Sequence, residues 1–292
     1  MELLSNQILA GIATGAIYAC MALALVMIYQ AIGQLNFAQG EMAMFSTFMA
    51  WQMIHWGAPY WAAFVLTLML SFAGGVVIER LLFRPLAKAP ILTNLAGFLA
   101  LFAIINSVAG LIWDFTIKPF PSPFGSSPFL GSRLVSTHQA GMIGVILLVL
   151  AVLFVFLRFT RMGLAMRAAA AQPESARLVG IDTNRMIALG WGMAAAVGAV
   201  AGMLIAPVVF LDPNMMGGVL IYGFAAAVLG GLSSPPGAVV GGFLVGIIEN
   251  LVGTYVSGVG NELKLPIALA LIVIVLVVKP SGLFGRQEIK RV

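Results

Sequence analysis

Residues 140–157 read Ala-Gly-Met-Ile-Gly-Val-Ile-Leu-Leu-Val-Leu-Ala-Val-Leu-Phe-Val-Phe-Leu, eighteen side chains without a polar group among them. As a helix rising 1.5 Å per residue, that run is about 27 Å long, close to the hydrocarbon thickness of a bilayer. A stretch of this length without charge reads as a membrane span. Eight further apolar stretches accompany it, at 4–29, 38–56, 60–79, 91–113, 187–210, 218–232, 236–252 and 265–278. The last three are short or interrupted by glycine. Over all 292 residues, 61% are hydrophobic and 9% charged, against about 45–50% and about 25% in soluble domains. The stretches leave too little chain for a soluble domain beside them. The expectation is an all-α membrane protein, one transmembrane domain over 1–292, built as a polytopic helical bundle of about eight to ten membrane segments.

Charge gives the orientation. Twelve of the fifteen Lys and Arg residues fall in three places: Arg80, Arg84 and Lys88; Arg158, Arg161, Arg167, Arg177 and Arg185; and Lys279, Arg286, Lys290 and Arg291. The other connections hold Lys118, Arg133 and Lys264. The positive-inside rule assigns the loops 80–90 and 158–186 and the C-terminus to the cytoplasm. The net charge of +5 then records topology, and no nucleic-acid partner is expected. Nine full spans put the N-terminus outside; a re-entrant 38–56 segment puts it inside. Glu2 precedes any basic residue, so no signal peptide is expected. Ile17-Tyr18-Ala19-Cys20 faintly resembles a lipoprotein cleavage site, but the apolar run continues past it. Cys20 is the single cysteine, which leaves neither a disulfide nor a cysteine cluster. His55 and His138 lie far apart, beside no acidic ligand, so no metal site is expected.

Enzyme motifs are missing. The chain has no G-x-x-x-x-G-K-[ST] phosphate loop and no H-E-x-x-H. No Ser or Cys nucleophile shares a span with an activating His. A non-catalytic protein without its own cofactor is the expectation.

Polar groups at membrane depth are costly and mark functional candidates. The densest stretch is Gln34-Leu35-Asn36-Phe37-Ala38-Gln39-Gly40-Glu41. Asn36 and Gln39 have the N-x-x-Q form of a capping box, and Glu41 falls in the first helical turn, where the helix dipole favours a carboxylate. A helix that starts inside the membrane is a common binding or gating element of transporters; an ordinary cap at the membrane surface is the plainer alternative. Glu249, Asn250 and Asn106 read more simply as structural groups, Asn106 as an interhelical hydrogen bond. The pairs Gly11–Gly15, Gly198–Gly202, Gly237–Gly241 and Gly242–Gly246 have GxxxG spacing, which suits close packing of helices within the chain.

Two loops are informative. The loop 158–186 carries Pro173 and Glu174, suited to the first turn of a short helix, with Gly180 as its stop. Ala176, Val179 and Gly180 would form a small apolar face beside Glu174 and Arg177, built to dock on a soluble partner. The outer loop 114–139, with Pro119, Pro121, Pro123 and Pro128, cannot be a regular helix. It reads equally as a linker or as a docking surface for an extracytoplasmic partner.

Together these residues resemble the LivH-type permease subunits of branched-chain amino-acid ATP-binding-cassette importers. The resemblance covers nearly the whole chain and rests on ordered matches. They are Leu35 to Glu41, Glu79-Arg80, Arg84-Pro85-Leu86, Ala165-Met166-Arg167-Ala168, Gly180-Ile181-Asp182 and Asp212-Pro213-Asn214. Further on come Ala227-Val228-Leu229-Gly230-Gly231-Leu232, Pro236-Gly237-Ala238 and Pro280-Ser281-Gly282-Leu283-Phe284-Gly285. It implies the importer permease fold in a bacterial inner membrane and a second, LivM-like permease subunit. It also implies two cytoplasmic ATPases that bind ATP and magnesium, and a periplasmic binding protein. The signature E-A-A-x-x-x-G matches Glu174, Ser175, Ala176 and Gly180, with Ser in place of the first Ala. With Arg177 these residues would form the helix that couples to the ATPase. Asn36, Gln39, Glu41 and Tyr222 would line or gate the path. Gln39 stands where relatives usually have His, and Tyr222 where many have Lys. Relatives resembling importers of urea, amides and small aromatic carboxylates therefore stay open as alternatives for the substrate. An ion-coupled secondary transporter is the competing class, with Glu41 and Glu249 as its plausible carboxylates.

Overall fold

The computed structural model describes residues 2–125, 127–129, 132–255 and 264–285. The chain starts with α1 (Glu2–Ile32), α2 (Gln39–His55) and α3 (Tyr60–Ile78). A π-helical turn (Glu79–Phe83) carries α3 into the single turn α4 (Arg84–Leu86), and α5 (Ile91–Trp113) follows. A short antiparallel pair, β1 (Pro128–Phe129) and β2 (Ser132–Ser136), precedes α6 (Thr137–Phe159), α7 (Arg161–Ala171) and α8 (Pro173–Leu178). The chain then forms α9 (Thr183–Val209), α10 (Met216–Gly230), α11 (Pro235–Tyr255) and α12 (Lys264–Val278).

Every apolar stretch of the sequence is a helix. Among the described residues, six helical segments are long and apolar enough to cross a bilayer: Leu4–Ile32, Tyr60–Leu86, Ile91–Trp113, Thr137–Phe159, Thr183–Val209 and Pro235–Tyr255. The protein is a multi-pass helical membrane protein. The remaining apolar stretches form shorter helices: α2 has 17 residues, α10 and α12 have 15 each. Burial follows the solvent. Leu92, Leu111, Leu148 and Met69 on the long helices are exposed, as suits side chains facing lipid, whereas Gln39, Asn36, Thr47 and Thr67 are fully buried.

The described chain forms two compact units. The first comprises Met1–Val26, Phe124–Ile146 and Gly218–Val292. Here α1 and α11 approach along their glycines. A Cβ on Gly11 would stand 2.7 Å from Ile247 Cα, and one on Gly15 would stand 2.8 Å from Phe243 Cα. Gly242 and Gly246 face α1 in return, and Gly237 and Gly241 face α10. The GxxxG pairs thus serve packing within the chain, where small side chains let backbones meet. Residues past α12 close the C-terminal end of α10: Leu283 N–H donates to the Leu229 carbonyl at 2.8 Å, and Phe284 N–H to the Gly230 carbonyl at 3.0 Å. Helix ends leave such carbonyls without an intrahelical partner, and this segment supplies one.

The second unit comprises Met27–Pro123 and Leu147–Gly217, with α9 as its most buried helix. Gly75 of α3 sits on the Trp191 carbonyl, which a Cβ there would approach to 2.7 Å, and Gly192 of α9 sits on the Phe72 carbonyl (2.9 Å). Gly198 and Gly202 face Gln39, Ala43 and Thr47 of α2. Beside them Phe83, Phe98 and Trp191 stack, with ring centroids 4.4 Å (Phe83–Phe98) and 4.8 Å (Phe83–Trp191) apart. The π-turn shifts the helical register and presents Phe83 to this stack while Arg84 turns back on Glu79. Their ion pair is bidentate, 2.9 Å and 3.3 Å, and Arg84 also donates to the Asn184 carbonyl at the start of α9 (3.3 Å).

Candidate functional site

Gln34 to Glu41 forms the turn into α2, in the second unit. The expected capping box does not form. α2 begins at Gln39 with Ala38 as its N-cap, and no side chain caps it. Asn36 instead makes a local turn, its Oδ1 accepting from Ala38 N–H at 3.0 Å. Gln39 reaches across to α9, where its Nε2 donates to the Ala194 carbonyl at 2.9 Å. Ala194 lies about 17 Å along the roughly 40 Å length of α9, so α2 starts deep beside a crossing helix. The physical reason for the different cap is competition: the buried Gln39 amide finds a carbonyl on the neighbouring helix and is not available to the helix's own end.

Glu41, in the first turn of α2, is only 3% exposed. Its Oε2 accepts from Asn106 Nδ2 of α5 at 3.2 Å. The same nitrogen is 2.9 Å from the Pro213 carbonyl and 3.5 Å from Asn214 Oδ1. Two helix ends meet near this point. Asp114 after α5 and Phe210 after α9 both have positive φ, 62° and 65°. This conformation costs about 1–3 kcal/mol for a residue with a Cβ and persists only where the surroundings hold it. The holding element is a two-bond bridge, Lys118 N–H to the Leu211 carbonyl (2.9 Å) and Leu211 N–H to the Lys118 carbonyl (3.0 Å). Trp51 of α2 adds a third tie by donating to the Pro119 carbonyl at 3.1 Å. The Asp212-Pro213-Asn214 turn is therefore fixed against Asn106, with Asn214 N–H bonded to Asp212 Oδ1 at 2.6 Å.

Tyr222 belongs to the first unit. Its ring stacks on Tyr18 at 4.8 Å, and Tyr18 OH donates to Glu249 Oε2 at 2.7 Å. Next to Glu249, Asn250 Nδ2 donates to Thr14 Oγ1 at 2.9 Å. Of the four residues expected to line or gate the path, Asn36, Gln39 and Glu41 thus lie together on one turn of the second unit. Tyr222 stands with Tyr18 and Glu249. Sequence reasoning passed over Tyr18, because a tyrosine inside an apolar run counts as apolar. The hydroxyl was the available signal. It also passed over the Pro213 carbonyl and Asn214 as neighbours of Asn106.

The 158–186 loop contains two helices, both in the second unit. Thr160 caps α7 by accepting from Gly163 N–H at 3.0 Å. Pro173 stands in the first turn of α8, and the helix ends in a Schellman motif. Gly180 N–H donates to the Arg177 carbonyl and Ile181 N–H to the Ala176 carbonyl, each at 3.0 Å, with Gly180 at φ +85°. That backbone conformation is the one glycine adopts without a Cβ penalty. Ala176 is buried in its own chain and so does not share an outer face with Val179. Arg177 Nε is held by Thr183 Oγ1 at 2.7 Å. Glu174 and Ser175 stay exposed, as do Leu178 (90%) and Val179 (76%). The α8 turn thus presents a two-residue apolar tip on a backbone tied at both ends.

By its fold the chain is a polytopic helical membrane protein, with amides, carboxylates and tyrosines buried among its helices. The chain belongs to the family described as branched-chain amino acid transport system / permease component, whose model matches residues 7–276. It is 34% identical over 305 residues to the high-affinity branched-chain amino acid transport system permease protein LivH of Escherichia coli K12, covering 98% of this chain and 97% of that one. It is 32% identical over 303 residues to the permease protein BraD of Pseudomonas aeruginosa, with the same coverage. A probable LivH of Methanocaldococcus jannaschii is 29% identical over 283 residues, covering 91% and 87%. Among solved structures, PsaBC from Streptococcus pneumoniae in complex with Fab is similar with a TM-score of 0.44 and 12% identity, over 96% of this chain and 91% of that one.

Proposed function

We propose that this chain is the non-catalytic permease subunit of an ATP-binding-cassette importer in a bacterial inner membrane. It passes branched-chain or closely related amino acids delivered by a periplasmic binding protein. The observation that carries this reading is the family match across residues 7–276. The geometry supports it at two places. The α8 turn, with Glu174, Ser175, Arg177 and Gly180 around an exposed Leu178–Val179 tip, has the form of a part that docks on an ATPase and moves as one piece with α9. Ala176 serves it from inside, anchoring the turn to its own chain. The buried polar turn at Asn36, Gln39 and Glu41, and Tyr222 in the other unit, supply the polar groups that a path through lipid needs.

In this reading the chain works as one permease domain and binds no cofactor. ATP and magnesium act in two cytoplasmic ATPases, and a second, LivM-like permease completes the path. The basic loops and the C-terminus face the cytoplasm.

The test is a mild-detergent pull-down of the tagged chain from its native membrane, with identification of the co-purifying proteins. Recovery of phosphate-loop ATPases and a second permease is expected. A chain that purifies alone and transports under an ion gradient after reconstitution overturns the proposal. Glu174→Lys and Gly180→Trp are expected to abolish coupled uptake without unfolding the spans; normal uptake by either removes the coupling role.

A further inference from the structure

Among the described residues, Glu41 is a buried carboxylate without a cation. Its hydrogen-bond partner among the described residues is the neutral amide of Asn106. The ion pairs among those residues are Arg84–Glu79 and Arg185–Asp182, and neither involves it. No Lys or Arg lies within the apolar stretches on which the helices are built. A buried charge without a partner is unfavourable, and native structures neutralise it with a proton, a counter-charge or a ligand. The second observation is independent of charge. Three oxygens converge on the single nitrogen Asn106 Nδ2: Glu41 Oε2 (3.2 Å), the Pro213 carbonyl (2.9 Å) and Asn214 Oδ1 (3.5 Å). An amide nitrogen carries two hydrogens, so these acceptors outnumber what it can give. An ammonium carries three hydrogens and the missing positive charge.

We propose that Glu41, the Pro213 carbonyl and Asn214 form a subsite for the primary ammonium group of a substrate crossing the permease. The Asn106 amide holds the three oxygens in place between passages. The assignment rests on the proposal that the chain imports amino acids, and it adds which end of the amino acid this turn handles. The bridge between Lys118 and Leu211 and the strained Phe210 give the subsite a fixed wall, because they position Pro213 and Asn214 independently of Glu41. Asn214 is exposed and Glu41 is not, so the oxygens run from an accessible amide to a buried carboxylate. An ammonium would be met first by Asn214 and neutralised last by Glu41.

The experiment uses the complete importer in proteoliposomes, with its paired permease, ATPases and binding protein, and radiolabelled L-leucine as the probe. The readout is leucine accumulated per ATP hydrolysed. Glu41→Gln keeps the size and the hydrogen bond to Asn106 but loses the charge. It is expected to lower the ratio at least tenfold, with ATP hydrolysis stimulated by loaded binding protein staying within twofold of wild type. Glu41→Asp is expected to recover part of the loss. Asn214→Ala, at an exposed position that folding tolerates, is expected to lower the ratio about threefold. A Glu41→Gln importer within twofold of wild type overturns the subsite and leaves the importer function intact. So does a ratio that falls only when sodium is withdrawn, which marks a metal-ion site in its place. A wild-type importer that accumulates a neutral amide such as urea and no leucine overturns the functional proposal itself, and the ammonium subsite with it.

Discussion

Replacing Arg84 by Met isolates the energetic role of the ion pair at the end of α3. The two partners are unequally buried: the Glu79 side chain is 4% exposed and the Arg84 side chain 36%. Arg84→Met strands a buried carboxylate that has lost two charged hydrogen bonds, and Glu79→Gln leaves a guanidinium that can turn to water. Removing one partner of a fully buried pair costs about 3–5 kcal/mol. Because Arg84 is over a third exposed, solvent already screens part of that interaction. The expected loss for Arg84→Met is therefore at the low end, about 2–3 kcal/mol, and about 1 kcal/mol for Glu79→Gln, where a neutral amide still accepts. The double variant Glu79→Gln/Arg84→Met contains no stranded charge and is expected to lie within about 1 kcal/mol of wild type. Denaturant-driven unfolding in detergent micelles, followed by the fluorescence of Trp191 and its neighbours, reads all three. The difference between Arg84→Met and the double variant corresponds to roughly a tenfold change in the unfolding constant. Equal losses for the two single variants, or a double variant no better than Arg84→Met, would refute the reasoning.

Two neighbouring glycines of α3 offer a sharper contrast than either alone. A Cβ on Gly75 meets the Trp191 carbonyl at 2.7 Å, whereas nothing lies within 4 Å of one on Gly74; thermal midpoints in detergent are expected to fall for Gly75→Leu by the equivalent of about 2–3 kcal/mol and to hold for Gly74→Leu. At the exposed turn, Gly180→Val forces a branched residue into φ +85° and is expected to cost about 1–2 kcal/mol, with Gly180→Asn much milder, both measured by the same unfolding assay.

The helices were legible for a simple reason. In lipid a chain segment satisfies its backbone internally, so a long apolar run has one outcome. Local chemistry was legible too: Pro173 and Gly180 bracket α8 because a proline opens a helix and a positive-φ glycine ends one, and both rules act within a few residues. The turn at residues 34–41 shows where this stops. Asn36 and Gln39 have capping-box spacing, yet the acceptor for Gln39 is Ala194, 155 positions away. The Asn106–Glu41 bond spans 65 positions, and the Pro213 carbonyl that joins it is a backbone atom with no sequence signature. Gly74 and Gly75 are indistinguishable on the page and opposite in the fold. Ala176 was assigned to an outer face by its small size, but its burial depends on the path of a loop whose direction no local pattern encodes.

The shortness and polarity of α2 also bear on how the protein is made. With Gln39, Glu41, Ser46, Thr47 and Gln52 along 17 residues, α2 is a poor candidate for partitioning into lipid by itself. Its buried face is covered by α3 and α5, which emerge from the ribosome soon after it, and by α9, which is complete only at Val209. At a synthesis rate of about 5–20 residues per second, that wait is on the order of 8–30 s. During it, the Gln39 amide is without its Ala194 partner. Biogenesis is thus expected to be two-staged: α1 and α3 settle first, and α2 is threaded home when α9 arrives. A cysteine at Ala43 in ribosome-bound chains should react with a water-soluble maleimide in a nascent chain arrested before Thr183, and become protected once synthesis has passed Val209. Early protection would mean that the helices before α9 are enough to seat it.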